Sequence, residues 1–223
     1  KCKSSYLSGD AVLINKEKKM KAKPVTCEGV TFRSKLEARW YFFMKSIGWR
    51  IEYEPEIEGL YGWLPDFLII GKGTKILVEV KPFNCKKDFS GEYGLSTHEK
   101  IVTSNWRELG FDGCIVVGAS LDLDDAQCAR EEETFVGGTI MRSHISEDYK
   151  NFENPTNLFD MIDDFFVYTD HAGKIGICDD HMSFTDIIHD DHQGRYCLDK
   201  ANKEKLKICW NEAGSKLQWK PTK

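Results

Sequence analysis

LPDFLIIGKGTKILVEVK, residues 64–81, decides the architecture of this chain. Two short apolar runs flank Gly71-Lys72-Gly73-Thr74, a break of the kind that closes a hairpin. Side chains of a strand alternate between faces, so Ile76, Val78 and Val80 share one face while Leu77, Glu79 and Lys81 share the other. The first face is expected to enter a core. Pro65 cannot donate to a sheet ladder, which suits a strand start and sets Asp66 just inside it. A hairpin folded here brings Asp66 toward Glu79, thirteen positions on, although the pattern leaves the register open.

Two carboxylates and an amine in one place have a specific use. Carboxylates are hard oxygen ligands for Mg²⁺ or Mn²⁺, and an ion so held lowers the pKa of a bound water and offsets charge on phosphate oxygens. Lys81 would orient that water or stabilise the added negative charge. A plainer reading stands beside this one: Glu79 and Lys81 as the solvated face of a half-buried strand, where most charged residues lie.

Working upstream, Ser34 followed by Glu37 has the form of a capping box and marks a helix start. Leu36, Trp40, Phe43 and Ile47 then recur at the spacing of a buried helical stripe. Glu37 falls beside that stripe, between Tyr41 and Met44 on the wheel, and not on the opposite charged side. A carboxylate bordering apolar surface needs a cation or donor to meet it. Glu37 is thus either a helix cap or a third carboxylate of the site.

Four linked motifs lie in order between residues 31 and 81: Phe32-Arg33-Ser34 with Leu36 and Glu37, then Glu52-Tyr53-Glu54, Pro65 to Leu68, and Val78-Glu79 with Lys81. Together they resemble the PD-(D/E)xK nuclease superfamily, and most closely the phage Holliday-junction resolvases of the endonuclease I type. The resemblance implies an α/β fold with a mixed central β-sheet flanked by helices, the restriction-endonuclease-like core. It implies Asp66, Glu79 and the Val80 carbonyl as ligands of Mg²⁺, with Mn²⁺ substituting, and Lys81 as the group that positions water. Glu37 would complete the site, ligating a second ion or orienting water. Products with a 5′-phosphate and a 3′-hydroxyl, a DNA substrate, a homodimer making paired cuts, and a cytoplasmic phage or prokaryotic setting also follow from the resemblance. Two alternatives stay open: a site-specific duplex endonuclease of homing, restriction or transposon type, and a non-cleaving module that binds nucleic acid or protein. The intact Asp66, Glu79 and Lys81 favour an enzyme.

Length and composition agree with a compact soluble enzyme. The 223 residues allow one large domain, or a core with a substantial addition. No apolar run approaches the roughly 20 residues that cross a membrane, and the first residues carry no signal-peptide pattern. Eight scattered cysteines read as reduced intracellular thiols. Charge divides the chain: residues 1–107 hold 19 Lys+Arg against 13 Asp+Glu, and residues 108–223 hold 12 against 23, so +6 and −11 make up the net −5. The basic half is the nuclease-like one. Its Lys16, Lys18, Lys19, Lys21 and Lys23, with Arg33, Lys35, Lys86, Lys87 and Lys100, are candidates for phosphate contacts. Any one of these lysines also has the simpler role of keeping the surface soluble.

The remaining segments extend this frame. Residues 95–109 read as a helix through Ile101, Val102, Trp106 and Leu109, followed by a strand at Cys114-Ile115-Val116-Val117. His98 and Lys100 on that helix are candidate site residues. The acidic stretch 120–133 suggests a boundary, with a nuclease core over 1–120 and an acidic accessory or partner-binding region over 121–223. Leu158–Tyr168 reads as an apolar helix. Cys178, His181, His189, His192 and Cys197 gather metal-ligand types at spacings that match no zinc pattern, which leaves acidic loops the simpler reading. The final 24 residues interleave lysines with Trp210 and Trp219, as either a base-stacking tail or a helix docked through Leu206, Trp210 and Leu217.

Overall fold

The computed structural model describes residues 22–71, 73–85, 88–89, 91–121, 135–142, 163–169, 175–178 and 200–218. A small antiparallel hairpin, β1 (Val25–Cys27) and β2 (Val30–Phe32), leads into helix α1 (Lys35–Ser46). There follow β3 (Ile51–Tyr53), β4 (Phe67–Ile70), β5 (Lys75–Val80), helix α2 (Glu92–Val102), β6 (Gly113–Val117), β7 (Phe135–Arg142), β8 (Asp163–Thr169), β9 (Ile175–Cys178) and helix α3 (Lys200–Lys216). Strands β3 to β9 form one seven-stranded sheet in sequence order. Only the β5–β6 pair is parallel, and α2 lies in its connection, as a parallel crossover requires.

The turn after β4 is closed by Gly71 N–H donating to the Thr74 carbonyl at 2.7 Å. Alternation along the strands feeds two cores. Phe67, Ile69, Ile76, Val78, Val80, Ile115 and Val117 enter one cluster with Trp40, Phe43 and Met44 of α1 and Leu206 and Trp210 of α3. Leu68, Leu77, Cys114 and Val116 enter the other with Trp63, Phe83, Ile101 and Trp106. Both faces of the central strands are covered, which explains their near-continuous apolar runs. No helix among the described residues is long and apolar enough to cross a membrane.

Several expectations change here. The helix expected over 95–109 runs from Glu92 to Val102; the chain then turns, with Asn105 at φ 66°, and delivers Trp106 to the core from outside the helix. Within the helix expected over Leu158–Tyr168, residues 163–168 instead belong to strand β8, paired on either side with β7 and β9, and residues 158–162 lie outside the described residues. Beyond the expected boundary near residue 120, β7, β8 and β9 continue the sheet that holds β5. The terminal helix docks: Trp210 packs edge-on against Trp40 and Phe43 beneath the Arg39 guanidinium, so it is closed to nucleobases. Trp219, His181, His189, His192 and Cys197, the lysines from Lys16 to Lys21, and Lys86 and Lys87 lie outside the described residues.

Candidate metal centre

Strands β4 and β5 set the two central carboxylates. Their register pairs Phe67 with Val78, and one further step puts Asp66 opposite Glu79. Asp66 N–H donates to the Val78 carbonyl at 2.8 Å, and its own carbonyl accepts from Glu54 N–H at 2.9 Å. Both side chains therefore sit on the Leu68 and Leu77 face, at 4% and 6% exposure. The sequence left this register open, and the structure brings the pair together.

Each carboxylate is met by two protein donors. Asp66 Oδ2 accepts from Val80 N–H at 2.6 Å, and Oδ1 pairs with the Arg33 guanidinium. Glu79 Oε2 accepts from the Trp63 indole N–H at 2.7 Å, and Oε1 pairs with the Lys81 ammonium. Glu79 and Lys81 share a strand face, as their spacing requires.

Glu37 lies in the first turn of α1, buried at the helix start. Ser34 is the N-cap of α1, and its hydroxyl accepts Glu37 N–H at 3.1 Å. The reciprocal half of the capping box is not made at Ser34. Glu37 Oε2 instead accepts from Arg33 N–H at 3.2 Å and from the Tyr53 hydroxyl at 2.8 Å, within a buried site. Its backbone N–H is capped by Ser34 while its carboxylate turns toward Arg33 and Tyr53.

The electrostatics follow from burial. Desolvation, then the charge on Glu79, pushes Asp66 up to about 7, against the Val80 N–H and Arg33, which pull it down. Burial draws Lys81 down, but the Glu79 carboxylate outweighs it and the net shift is upward. Arg33 is likewise drawn down by burial and carried up overall by Asp66, Glu37 and Glu54. With Glu54, bound to Arg33 Nε at 2.8 Å, four carboxylates are paired with two cations. Fully ionised, the cluster holds an excess of two negative charges, and its acceptors are all oxygen. That is the donor chemistry and the charge a hard divalent cation satisfies.

Among the described residues, no three His, Cys, Asp or Glu side chains are drawn together as a ready-made metal cage. The reason lies in the donors above: Arg33 stands at Asp66, Lys81 at Glu79 and Tyr53 at Glu37. Asp66 and Glu79 stand opposite each other as the two oxygen donors a divalent cation would take; Glu37 lies close enough for its charge to act on Asp66.

Of the basic candidates, Lys35, Lys100 and Arg33 are exposed, and Arg33 is also an ion-pair member of the centre. Lys100 lies two turns along α2 from the exposed Tyr93, whose hydroxyl is near enough to influence Lys81. His98 is placed in the core. It is fully buried, with Nδ1 2.8 Å from the Gly94 carbonyl and Nε2 2.9 Å from the Thr139 hydroxyl. Nδ1 donates to the Gly94 carbonyl, and the two bonds clasp α2 to β7. Burial also lowers its pKa.

Sequence reasoning missed three members of the site. Trp63 was passed over although a tryptophan needs a partner for its N–H when buried, and it stands three residues before Asp66. Tyr53 and Glu54 entered only as motif letters, yet one orients Glu37 and the other holds Arg33. Comparison of the chain with protein-family models, curated proteins and solved structures finds no match in any of the three.

Proposed function

We propose that this chain is a divalent-metal-dependent endonuclease that hydrolyses phosphodiester bonds in DNA, on a restriction-endonuclease-like core of the PD-(D/E)xK type. One observation carries the proposal: Asp66 and Glu79 are buried opposite each other, Glu79 paired with Lys81 and Asp66 linked through Arg33 to the buried Glu37, with more negative charge than these cations supply when all are ionised. A purely structural cluster would be expected to close its own charge, because uncompensated buried carboxylates cost several kcal/mol.

Asp66, Glu79 and the Val80 carbonyl would hold Mg²⁺ or Mn²⁺. That ion, when bound, supplies a water of lowered pKa and a positive charge beside the phosphate. Lys81 holds Glu79 in orientation and presents its remaining protons to the attacking water or to a phosphate oxygen. Trp63 fixes the far oxygen of Glu79 and helps exclude solvent. Lys35 on α1 and Lys100 on α2, both exposed, contribute phosphate contacts. We favour branched DNA as substrate and a homodimer as the working form, on the resemblance to junction resolvases.

The test is cleavage by purified protein in Mg²⁺ or Mn²⁺ of a four-way junction, a matched linear duplex and a single strand. Junction-selective cutting, lost in EDTA and in Glu79→Ala, is expected. Cutting of plain duplex would replace the branched substrate with a site-specific one. No metal-dependent cutting of any strand would leave a nucleic-acid- or protein-binding module.

A further inference from the structure

Arg33 is the most exposed ion-pair member of the centre. Its side chain is 49% exposed, whereas Asp66 is 5% and Glu37 10%. We propose that Arg33 is an internal counterion that exchanges with the divalent cation. In the metal-free protein its guanidinium occupies Asp66; with the cation present it leaves Asp66 and donates to a phosphate oxygen of the substrate. Metal binding and DNA binding then reinforce one another through one side chain. This rests on reading the site as a metal-dependent phosphodiester centre.

The geometry says which group must yield. Asp66 Oδ2 is held by the N–H of Val80, which belongs to the interior strand β5 and has no freedom to withdraw. Oδ1 is held by Arg33 Nη2, at the end of a long side chain open to solvent. A divalent ion on Asp66 would stand beside a positive guanidinium on the same carboxylate. Like charges so close repel strongly, and the one on a flexible stem moves.

Where it goes is also set. Arg33 N–H is bound to Glu37 Oε2 and the Tyr53 hydroxyl, so the backbone stays in place. Its Nε is bound to Glu54 Oε1 at 2.8 Å, and Glu54 is 35% exposed, at the rim of the site. Glu54 occupies a left-handed conformation, φ 46°, that a non-glycine residue adopts at a cost, and its N–H bonds the Asp66 carbonyl. Glu54 thus serves as a pivot. Rotation about the Nε–Glu54 bond frees the Nη groups from Asp66 and turns them outward while one ion pair is kept. A guanidinium fork so released matches phosphate oxygens.

The experiment separates an exchange from an ordinary contact. Ca²⁺ binding is measured by calorimetry without DNA, and binding of a labelled four-way junction by anisotropy in EDTA and in Ca²⁺, for wild type, Arg33→Gln and Arg33→Lys. Removing the competitor should tighten Ca²⁺ by about tenfold in Arg33→Gln, and less in Arg33→Lys, which keeps a charge without the fork. Junction affinity in EDTA should match wild type; in Ca²⁺ it should be about tenfold weaker for Arg33→Gln. Equal weakening in EDTA and Ca²⁺, or unchanged Ca²⁺ affinity in both variants, would overturn the exchange and leave the enzyme reading standing. Absence of Ca²⁺ binding in wild type that Asp66→Asn removes would overturn both.

Discussion

Asp66→Asn should stabilise the metal-free protein, and by an amount that depends on pH. Asp66 is pushed up to about 7 in the fold, against about 3.9 for a free aspartate. An acid whose folded pKa is raised binds its proton more tightly when folded. The fold therefore loses stability from this group as pH rises from about 4, and the loss is complete above about 7. That displacement corresponds to an upper bound of about 4 kcal/mol at pH 8. Loss of the Arg33 partner reduces the benefit of substitution, so a net gain of about 2 kcal/mol is expected, or about 4–8 °C in Tm for a chain of this size. At pH 4.5 the neutral carboxyl and the amide are nearly equivalent, and the two melting points should converge. Added metal should reverse the order: at 100 times Kd, wild type gains about 2.7 kcal/mol and Asp66→Asn far less. Differential scanning fluorimetry from pH 4.5 to 8, in EDTA and in 10 mM Mg²⁺, reads all of this. A Tm difference constant across pH, or equal metal stabilisation of both proteins, would refute the reasoning.

Other perturbations test the surroundings. Trp63→Phe keeps a ring but leaves Glu79 Oε2 without its 2.7 Å donor, and should cost about 2 kcal/mol in EDTA melts, with unchanged melting the contrary result. His98→Phe breaks the clasp to Gly94 and Thr139 and should cost about 1–3 kcal/mol while folded molecules cleave at the wild-type rate; loss of cleavage would return His98 to the chemistry. Because burial depresses the His98 pKa, wild type should also lose stability below about pH 6.5 relative to this variant. Gly138 lies at the β7 irregularity, where an added Cβ would sit 1.9 Å from the Val116 carbonyl oxygen. Gly138→Ala should thus cost about 3 kcal/mol or more in a melt, and a neutral result would refute the close approach.

The hairpin and the position of its carboxylates were legible because strand alternation is local. Glu79 and Lys81 had to share a face, and Pro65 had to begin a strand. The partners of those carboxylates were not legible. Arg33 reaches Asp66 across 33 positions and Trp63 reaches Glu79 across 16, through a loop with no period to read. The β8 error has a similar origin. DDFFVYT is a short apolar run whose type is decided by neighbours, and β7 and β9 on either side made it a strand. Trp210 shows the reverse case: its spacing from Leu206 within a helix gave docking a physical basis, and the burial of both side chains bears this out.

The central claim is chemical, and single-turnover cleavage of a labelled four-way junction tests it most directly. Wild type, Glu79→Gln and Lys81→Ala would be compared in Mg²⁺ and in EDTA, each variant first shown to be folded by its melt. Wild type should cut only with metal, and both variants should lose about a hundredfold or more in rate, the scale for removal of one charge-stabilising group. Metal-dependent cutting that survives in either folded variant would contradict the assignment of this site.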